Sequence, residues 1–338
     1  MKRKSLLLRF VLFLLLMFLA SCGMAEMTEE ESGELEFSLT SDGQNYKVTG
    51  IGSHKGTTVT IPDTYKDKSV VYIATDAFKN NRDIKKVIIP ATVTQISKGA
   101  FDGCSSLATF ECHATKINLI GANAFRGTAY VKNKANYENG GLYLSNMLIA
   151  IDPRASGEFR IKEGTFTVAY QCFKDSKISS VVIPKGCANL GQYTFYEATR
   201  LKSVIFEDSI GYLGVGVFYG CSALQSINLP TGCVNIYERA FFGCTSLKTI
   251  VFGEKTKNIK EACFSGCTSL ETITLPAACE TIGNEAFLGC TSLRSIGGAA
   301  KLKSVGAKAF RDCTALTSCT LPQSATYGTL VFANTPLE

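Results

Sequence analysis

The pentapeptide GCTSL occurs at residues 243–247, 266–270 and 289–293, so each copy begins 23 residues after the one before it. A fixed spacing of this length indicates a chain of stacked structural units, in which neighbouring units complete one another's apolar faces. Four roles are open to the recurring cysteine: metal ligand, disulfide partner, nucleophile or buried filler. Which role it has bears on what kind of protein this is.

The same period covers most of the chain and is marked by a recurring phenylalanine. The markers are Phe78, Phe101, Phe125, Phe173, Phe195, Phe218, Phe241, Phe264, Phe287, Phe310 and Phe332. Successive markers are 22 to 24 residues apart, except for one step of 48 residues from Phe125 to Phe173. Proline recurs every 46 residues, at Pro184, Pro230, Pro276 and Pro322. This longer period indicates that the coils were duplicated in pairs.

One unit, residues 247–266, shows how the sequence predicts local structure. It opens with the spacing L-x-x-L-x-L, and the alternation of a strand turns Ile250 inward and Val251 outward. Its second half places Ile259 and Phe264 on one face of a single helical turn. Two residues after each marker the chain carries Gly, Asn or Asp, with Glu197 as the exception. Because these types tolerate a left-handed backbone, this position predicts the end of the turn.

The repeat GCTSLxTIxLPxxxxxIGxxAFxGC resembles the BspA-like leucine-rich repeats of bacterial surface lipoproteins, from about Ile61 to the C terminus. The resemblance implies an α/β, β-rich solenoid, a right-handed superhelix of roughly 23-residue coils. One side of it is a parallel strand face and the other side carries short helical turns. We expect around twelve coils on one continuous core, with a length on the order of 55 to 60 Å.

The sequence predicts four segments. Residues 1–21 form a lipoprotein signal peptide, 22–36 a lipidated cysteine with an acidic tether, 37–76 a strand-rich cap with the first coil, and 77–338 the solenoid. The 48-residue step at 126–165 is either a coil that has lost its marker or a protruding hairpin. The stretch NGGLY, followed by alternating apolar residues, favours an enlarged coil with a hairpin.

The leader predicts export and lipid attachment. A basic start and an apolar stretch precede Leu19-Ala20-Ser21-Cys22, which resembles the lipobox of bacterial lipoproteins and makes Cys22 the lipid attachment residue. An ordinary secretory signal with a chance cysteine is the alternative. The acidic stretch behind Cys22 is similar to a surface-export signal, or else is a solvated linker. We therefore expect anchoring by lipid alone, in the outer membrane and facing the exterior.

The repeated cysteine is best interpreted as buried filler. Equivalent positions hold Thr128 and Ala198, which thiol chemistry would not accept. A single file of residues about 4.8 Å apart fits neither disulfide geometry nor four converging zinc ligands. The remaining cysteines make the mature total odd, which buried thiols or an anaerobic environment would explain.

No enzyme is predicted. Cys112 and His113 are neighbours, but adjacent residues of a strand point to opposite faces. No sequence motif of a zinc protease, P-loop, nucleophile elbow or dinucleotide site is present. We predict no catalytic residue, metal or cofactor. The net charge of +6 falls to +2 without four cations of the leader, so nucleic acid is not an expected partner.

Binding residues are predicted on the strand face. The row at the starts of the strands comprises Lys202, Gln225, Lys248, Glu271 and Arg294. Its three cations recur every 46 residues and make it a basic edge, which suits an acidic protein or glycan. An outward row of varied chemistry includes Ile205, Asn228, Val251, Thr274 and Thr320. A rigid repeated face with one variable row suits recognition. The same pattern would arise if the charged side chains only contacted solvent and if the residues of the outward row varied because nothing constrains them.

The family resemblance implies an adhesin that binds host matrix proteins, host cells or other bacteria. A glycan-binding protein for nutrient capture is the first alternative, and it requires exposed aromatic side chains clustered on one face. The candidates are Tyr130, Tyr137, Tyr143, Tyr193, Tyr196, Tyr212 and Tyr219. A structural spacer on the cell surface, without a specific ligand, is the second alternative.

Overall fold

Each regular coil contributes one strand to a front sheet and one shorter strand to a side sheet, and tight turns lead to the next coil. These observations come from a computed structural model that describes residues 34–208 and 210–338. The predicted signal peptide, Cys22 and the tether up to residue 33 lie outside the described residues.

The front sheet is a succession of parallel strands in four hydrogen-bonded groups of three, three, two and three strands. Its strands are Thr58–Thr60, Lys86–Ile89, Thr109–Cys112, Ser156–Arg160, Lys177–Ile183, Ser203–Phe206, Ser226–Asn228, Thr249–Val251, Thr272–Leu275, Ser295–Gly298 and Ser318–Cys319. Each residue of a strand pairs with the equivalent residue of the next coil, so that Ile227 lies opposite Ile250. Ile250 is buried and Val251 is exposed, which confirms the predicted alternation.

The side sheet is built from strands that are mostly two residues long. They are Tyr46–Gly50, Lys68–Ile73, Gln95–Ile96, Leu119–Ile120, Met147–Ile151, Thr167–Val168, Asn189–Leu190, Tyr212–Leu213, Asn235–Ile236, Asn258–Ile259, Thr281–Ile282, Ser304–Val305 and Thr326–Tyr327. Ile259 is buried as its spacing predicts, but it lies in a side strand and not in a helical turn.

The predicted short helical turns are not confirmed. Within the described residues the helical segments are the α-helix Ala129–Lys132 and the 3-10 helix Lys134–Asn136, both in the enlarged coil. In a regular coil the N–H groups of Ala262, Phe264 and Gly266 donate to carbonyls of the next coil, at 2.9, 2.7 and 2.8 Å. These donors are therefore unavailable for hydrogen bonds within a helix.

Two columns of left-handed residues flank the phenylalanine markers. All eleven residues two positions after a marker have positive φ, including Glu197 at 51°. A second column, two positions before each marker, is left-handed as well. It comprises Asp76, Gly99, Asn123, Gln171, Tyr193, Gly216, Arg239, Ala262, Glu285, Lys308 and Leu330. The sequence did not predict this second column, because residues such as Arg and Lys do not signal a left-handed backbone.

The core is a stack of phenylalanine rings flanked by aliphatic side chains from both sheets. From Phe173 to Phe332 the centroids of successive rings are 4.7 to 5.6 Å apart. The expectation of one continuous core was wrong, since the buried residues form two clusters. The division falls at the strand Met147–Ile151. Met147 packs in the cluster nearer the N terminus, and Leu148 packs in the cluster nearer the C terminus.

The irregular parts of the fold add antiparallel strands. Near the N terminus Glu36–Leu39 pairs with Tyr46–Gly50, and Thr64–Tyr65 pairs with Lys68–Ile73. In the enlarged coil Gly141–Leu144 pairs with both Tyr137–Glu138 and Met147–Ile151. The latter strand then joins the side sheet in parallel with Thr167–Val168. A hairpin thus stands between the two core clusters.

Candidate functional site

The row at the strand starts forms a single file on the front sheet. The side chains of its five residues are all exposed. Backbone hydrogen bonds link each member to the previous one: Gln225 N–H to Lys202 O, Lys248 to Gln225, Glu271 to Lys248, and Arg294 to Glu271. In the described part of the chain none of these side chains forms an ion pair. Their charges are therefore available to a partner.

The outward row beside it presents two large apolar side chains to solvent. Ile205 is 53% exposed and Val251 is 59% exposed. Asn228 lies opposite Val251 in the sheet, and Thr274 and Thr320 are also exposed. All ten predicted binding residues thus share one continuous face. Scattered apolar residues are common on protein surfaces, so the distinctive feature is that Ile205 and Val251 occupy the same position two coils apart.

The repeated cysteines are buried, and their thiols donate hydrogen bonds to the coil before. Cys267 Sγ lies 3.2 Å from the carbonyl oxygen of Phe241, and the same contact recurs at Cys104, Cys221, Cys244, Cys290 and Cys313. Burial raises the pKa of Cys104 to about 11 and the pKa of Cys267 well above its ordinary value. Besides filling space, these thiols therefore help to join successive coils, a role that the sequence did not predict.

The other features considered for chemistry have structural partners. All 13 cysteines of the described residues are free, and no group of three or more potential metal ligands occurs among those residues. The thiol of Cys112 points to the carbonyl of Ala114 at 3.7 Å, whereas His113 contacts Glu111 at 3.1 Å. Burial raises the pKa of Cys112 to about 11, which opposes its activation as a nucleophile.

The predicted tyrosines fall into three places. Tyr130, Tyr137 and Tyr143 belong to the enlarged coil, where the hydroxyls of the first two donate to backbone carbonyls. Tyr212 lies on the side sheet, in edge contact with Tyr237. Tyr193, Tyr196 and Tyr219 lie together at the turns beside the phenylalanine markers.

At those turns, five partly exposed aromatic residues form one contiguous surface, which we call the aromatic edge. Its members are Tyr170, Tyr193, Tyr196, Tyr219 and Phe242. The rings of Tyr196 and Tyr219 stack at 5.2 Å, and those of Tyr219 and Phe242 at 4.8 Å. The ring of Tyr193 meets Tyr170, Tyr196 and Tyr219 at 5.7 to 6.2 Å. None of the five packs in the two core clusters.

The sequence contained a signal for the aromatic edge in the position directly after each marker. Tyr196, Tyr219 and Phe242 hold that position in three consecutive coils, whereas Lys174 and Ser265 hold it in the coils on either side. In a stacked repeat, equivalent positions lie above one another. Reading this column would have predicted the stack and added Phe242 to the candidates.

Two open depressions accompany these surfaces. One, of about 490 Å³, lies beside the aromatic edge and is lined by Asp175, Ser176, Lys177, Glu197, Thr199, Arg200 and Gly220. The other, of about 350 Å³, lies at the enlarged coil. Its cations are already paired, Lys162 with Glu138 at 2.7 Å and Arg160 with Glu207 at 2.7 Å. The first depression therefore retains more free polar groups.

Within the described residues, no helix has the length and hydropathy that crossing a membrane would require. Several solved structures are similar to this chain. A leucine-rich repeat protein from Bacteroides ovatus ATCC 8483 is 25% identical, with 89% of this chain and 79% of that chain covered and a TM-score of 0.44. One from Eubacterium ventriosum ATCC 27560 is 19% identical, covering 90% and 94%, with a TM-score of 0.41. A leucine rich cell surface protein from Faecalibacterium prausnitzii A2-165 is 21% identical, covering 86% and 94%, with a TM-score of 0.34.

No curated protein matches the chain significantly. The profile of the BspA type leucine rich repeat region matches residues 52–140, 166–294 and 236–338, in six copies. These ranges include more than half of the chain and follow the 23-residue coils on both sides of the hairpin. The chain therefore belongs to the family of proteins with BspA-type leucine-rich repeats.

Proposed function

We propose that this protein is an adhesin, exported and held at the outer membrane by a lipid on Cys22. Its ligands would be host matrix proteins or proteins on the surfaces of host cells and other bacteria. The observation that carries the proposal is the front face, where exposed Ile205 and Val251 stand beside a file of unpaired charged side chains. The family assignment supports a bacterial binding scaffold of this kind.

The front face has the physical properties of a protein-binding surface. Its backbone is fixed by hydrogen bonds between coils, so that binding orders few main-chain atoms. Fully burying a branched apolar side chain contributes about 1.5 to 3 kcal/mol. Ile205 and Val251 are 53% and 59% exposed, so roughly half of that gain remains to each as an anchor. The charged file contributes mainly to the rate of association and to the choice of partner.

The anchor follows from the sequence alone. A lipid on Cys22 would place the solenoid at the end of an acidic tether, with the front face free to meet a large partner. Several acyl chains hold a protein stably in a membrane, whereas one chain gives marginal binding.

The direct test is a binding screen of the protein against immobilised matrix proteins. The variant Val251→Asp places a charge at the apolar anchor, and we expect it to weaken binding by at least tenfold. Charge reversal of Lys202, Lys248 and Arg294 to Glu should slow association and change its salt dependence. Unchanged binding in both variants would remove the front face from the proposal.

A matched control keeps the charge change and moves it to another surface. Lys185, Lys255 and Lys301 are exposed, lie in the turns that follow front strands, and form no ion pair among the described residues. Reversing these three to Glu should leave binding unchanged. If the protein bound no matrix protein, no cell surface and no glycan, a spacer without specific ligand would explain the fold better.

A further inference from the structure

We propose that the aromatic edge and the depression beside it form a binding site for a neutral glycan, separate from the front face. The site combines the stacked rings of Tyr196 and Tyr219 with the polar lining that begins at the residues directly after them, Glu197 and Gly220. This surface lies mainly at the turns. Its residue Lys177 begins a front strand, but the site shares no residue with the two rows of predicted binding residues.

The aromatic edge is not explained by the packing of the core. Eleven phenylalanine markers already fill the interior, and the five rings of the edge stand outside both core clusters. Equivalent positions in other coils hold charged or small residues, such as Lys174 and Ser265, so the solenoid does not require rings there. Partly exposed tyrosines combine an apolar ring with a polar hydroxyl, which suits ligands that present both C–H and O–H groups.

The depression supplies hydrogen-bonding groups of both kinds. Asp175 and Glu197 offer carboxylate acceptors, Lys177 and Arg200 offer donors, and Thr199 adds a hydroxyl that can do either. In the described part of the chain, none of the four charged side chains forms an ion pair. The buried hydroxyl oxygen of Ser176, in the same lining, has no hydrogen-bond partner. The site therefore has capacity that the protein itself does not use.

The balance of charge indicates the class of ligand. Two anions and two cations line the depression, so its local charge is zero. Because attraction and repulsion balance, the depression offers no net electrostatic gain to a sulfated, phosphorylated or sialylated ligand, or to a cationic peptide. A neutral sugar has no charge to repel, and its many hydroxyls can both donate to carboxylates and accept from lysine and arginine.

Tyr196 and Glu197 are consecutive residues, so the aromatic edge and the depression adjoin each other at this point of the chain. The neighbouring Glu197 carboxylate is the main reason that the pKa of Tyr196 is raised. The ring of Tyr196 is also covered by the ammonium group of Lys174 at 5.6 Å. The ring of Tyr193 lies against Gly216, where a Cβ atom would approach ring carbons at 2.2 and 2.4 Å. Glycine at that coil therefore leaves the space that the tyrosine occupies.

The test uses the protein expressed from its full sequence and an array of oligosaccharides. The array holds neutral gluco-, manno- and galacto-oligosaccharides beside sialylated and sulfated ones, and titration calorimetry measures the dissociation constant of the best neutral probe. We expect binding to a neutral class, and a weakening of about tenfold in both Tyr196→Ala and Tyr219→Ala. Arg200→Ala, which leaves the rings in place, should weaken binding as well.

The controls separate loss of a contact from loss of the fold. Tyr212→Ala removes an exposed tyrosine of the side sheet and should leave the dissociation constant unchanged, while thermal unfolding shows that each variant folds. The variant Val251→Asp should not affect glycan binding, so this site and the front face can fail independently. Absence of binding to every neutral probe, binding to charged glycans alone, or loss of a protein ligand through Tyr196→Ala would each overturn the proposal.

Discussion

Replacing Glu197 by glycine should stabilise the protein, although the change removes a whole side chain. Glu197 has a φ of 51°, in a column where ten of the eleven coils carry Gly, Asp or Asn at similar angles and six of those ten are glycine. A left-handed backbone costs an L-residue roughly 1 to 2 kcal/mol, and glycine avoids that cost. Glycine in turn loses about 0.5 to 1 kcal/mol more conformational entropy on folding.

The difference between these two terms gives a net gain of about 0 to 1.5 kcal/mol for Glu197→Gly, centred near ~0.7 kcal/mol. The side chain of Glu197 is exposed and leans over Gly220, so its removal loses little buried area. The matched variant is Gly243→Ala, where the added Cβ would have its nearest neighbour at 3.9 Å and so meets no steric conflict. That variant isolates the backbone term and should destabilise the protein by about 1 kcal/mol.

Urea unfolding followed by circular dichroism measures both changes, and the slope of the transition should stay the same in all three proteins. A less stable Glu197→Gly variant would mean that the contacts of the glutamate outweigh the strain. No effect of Gly243→Ala would refute the left-handed requirement itself. If the glycan proposal holds, Glu197→Gly should also weaken sugar binding, so that one substitution raises stability and lowers affinity.

Three further predictions concern thiols, charges and the anchor. In the native protein at pH 8, iodoacetamide should modify the partly exposed Cys319 first. Mass spectrometry should find the fully buried thiols modified only after denaturation, because burial raises their pKa. The pKa of Glu280 is lowered by its contact with Lys303. The contribution of this ion pair to the free energy of unfolding should therefore be present above pH 4.5, and should be lost as the pH falls through the lowered pKa of Glu280 in the folded protein. An NMR titration should show that Lys303→Ala returns this pKa towards 4.5. Metabolic labelling with palmitate should mark the wild type and not Cys22→Ser, and equal labelling would refute lipid attachment at Cys22.

The sequence predicted the parts of the fold that depend on the repeat itself. The 23-residue period gave the coils, and strand alternation gave the buried Ile250 and the exposed Val251. Residue type alone was sufficient for the left-handed column after each marker, since Gly, Asn and Asp predominate there. Glu197 follows the same geometry because its N–H donates to Tyr219 of the next coil, as its counterparts donate to theirs.

Other parts could not be predicted because they depend on contacts between coils. The spacing of Ile259 and Phe264 fits a helical turn, but it fits a short strand followed by a turn equally well. Hydrogen bonds to the next coil decide between the two, and a single unit contains no trace of them. The division of the core was hidden for the same reason, since adjacent residues Met147 and Leu148 pack in different clusters.

The candidate sites divide in a similar way. The front rows followed from alternation, because every second residue of a strand faces outward. The aromatic edge required the equivalence of coils to be applied to the position after each marker. The depression required the three-dimensional arrangement of residues from three successive turns.

The near-identical stacking of coils makes the length of this protein easy to change during evolution. Each ring of the phenylalanine stack meets its neighbour at almost the same distance, from Phe195 to Phe310 within 5.0 to 5.3 Å. Recombination that adds or removes one 46-residue pair would therefore recreate the same interfaces between coils. Each such event would change the length of the solenoid by about 10 Å, without the need for a new core.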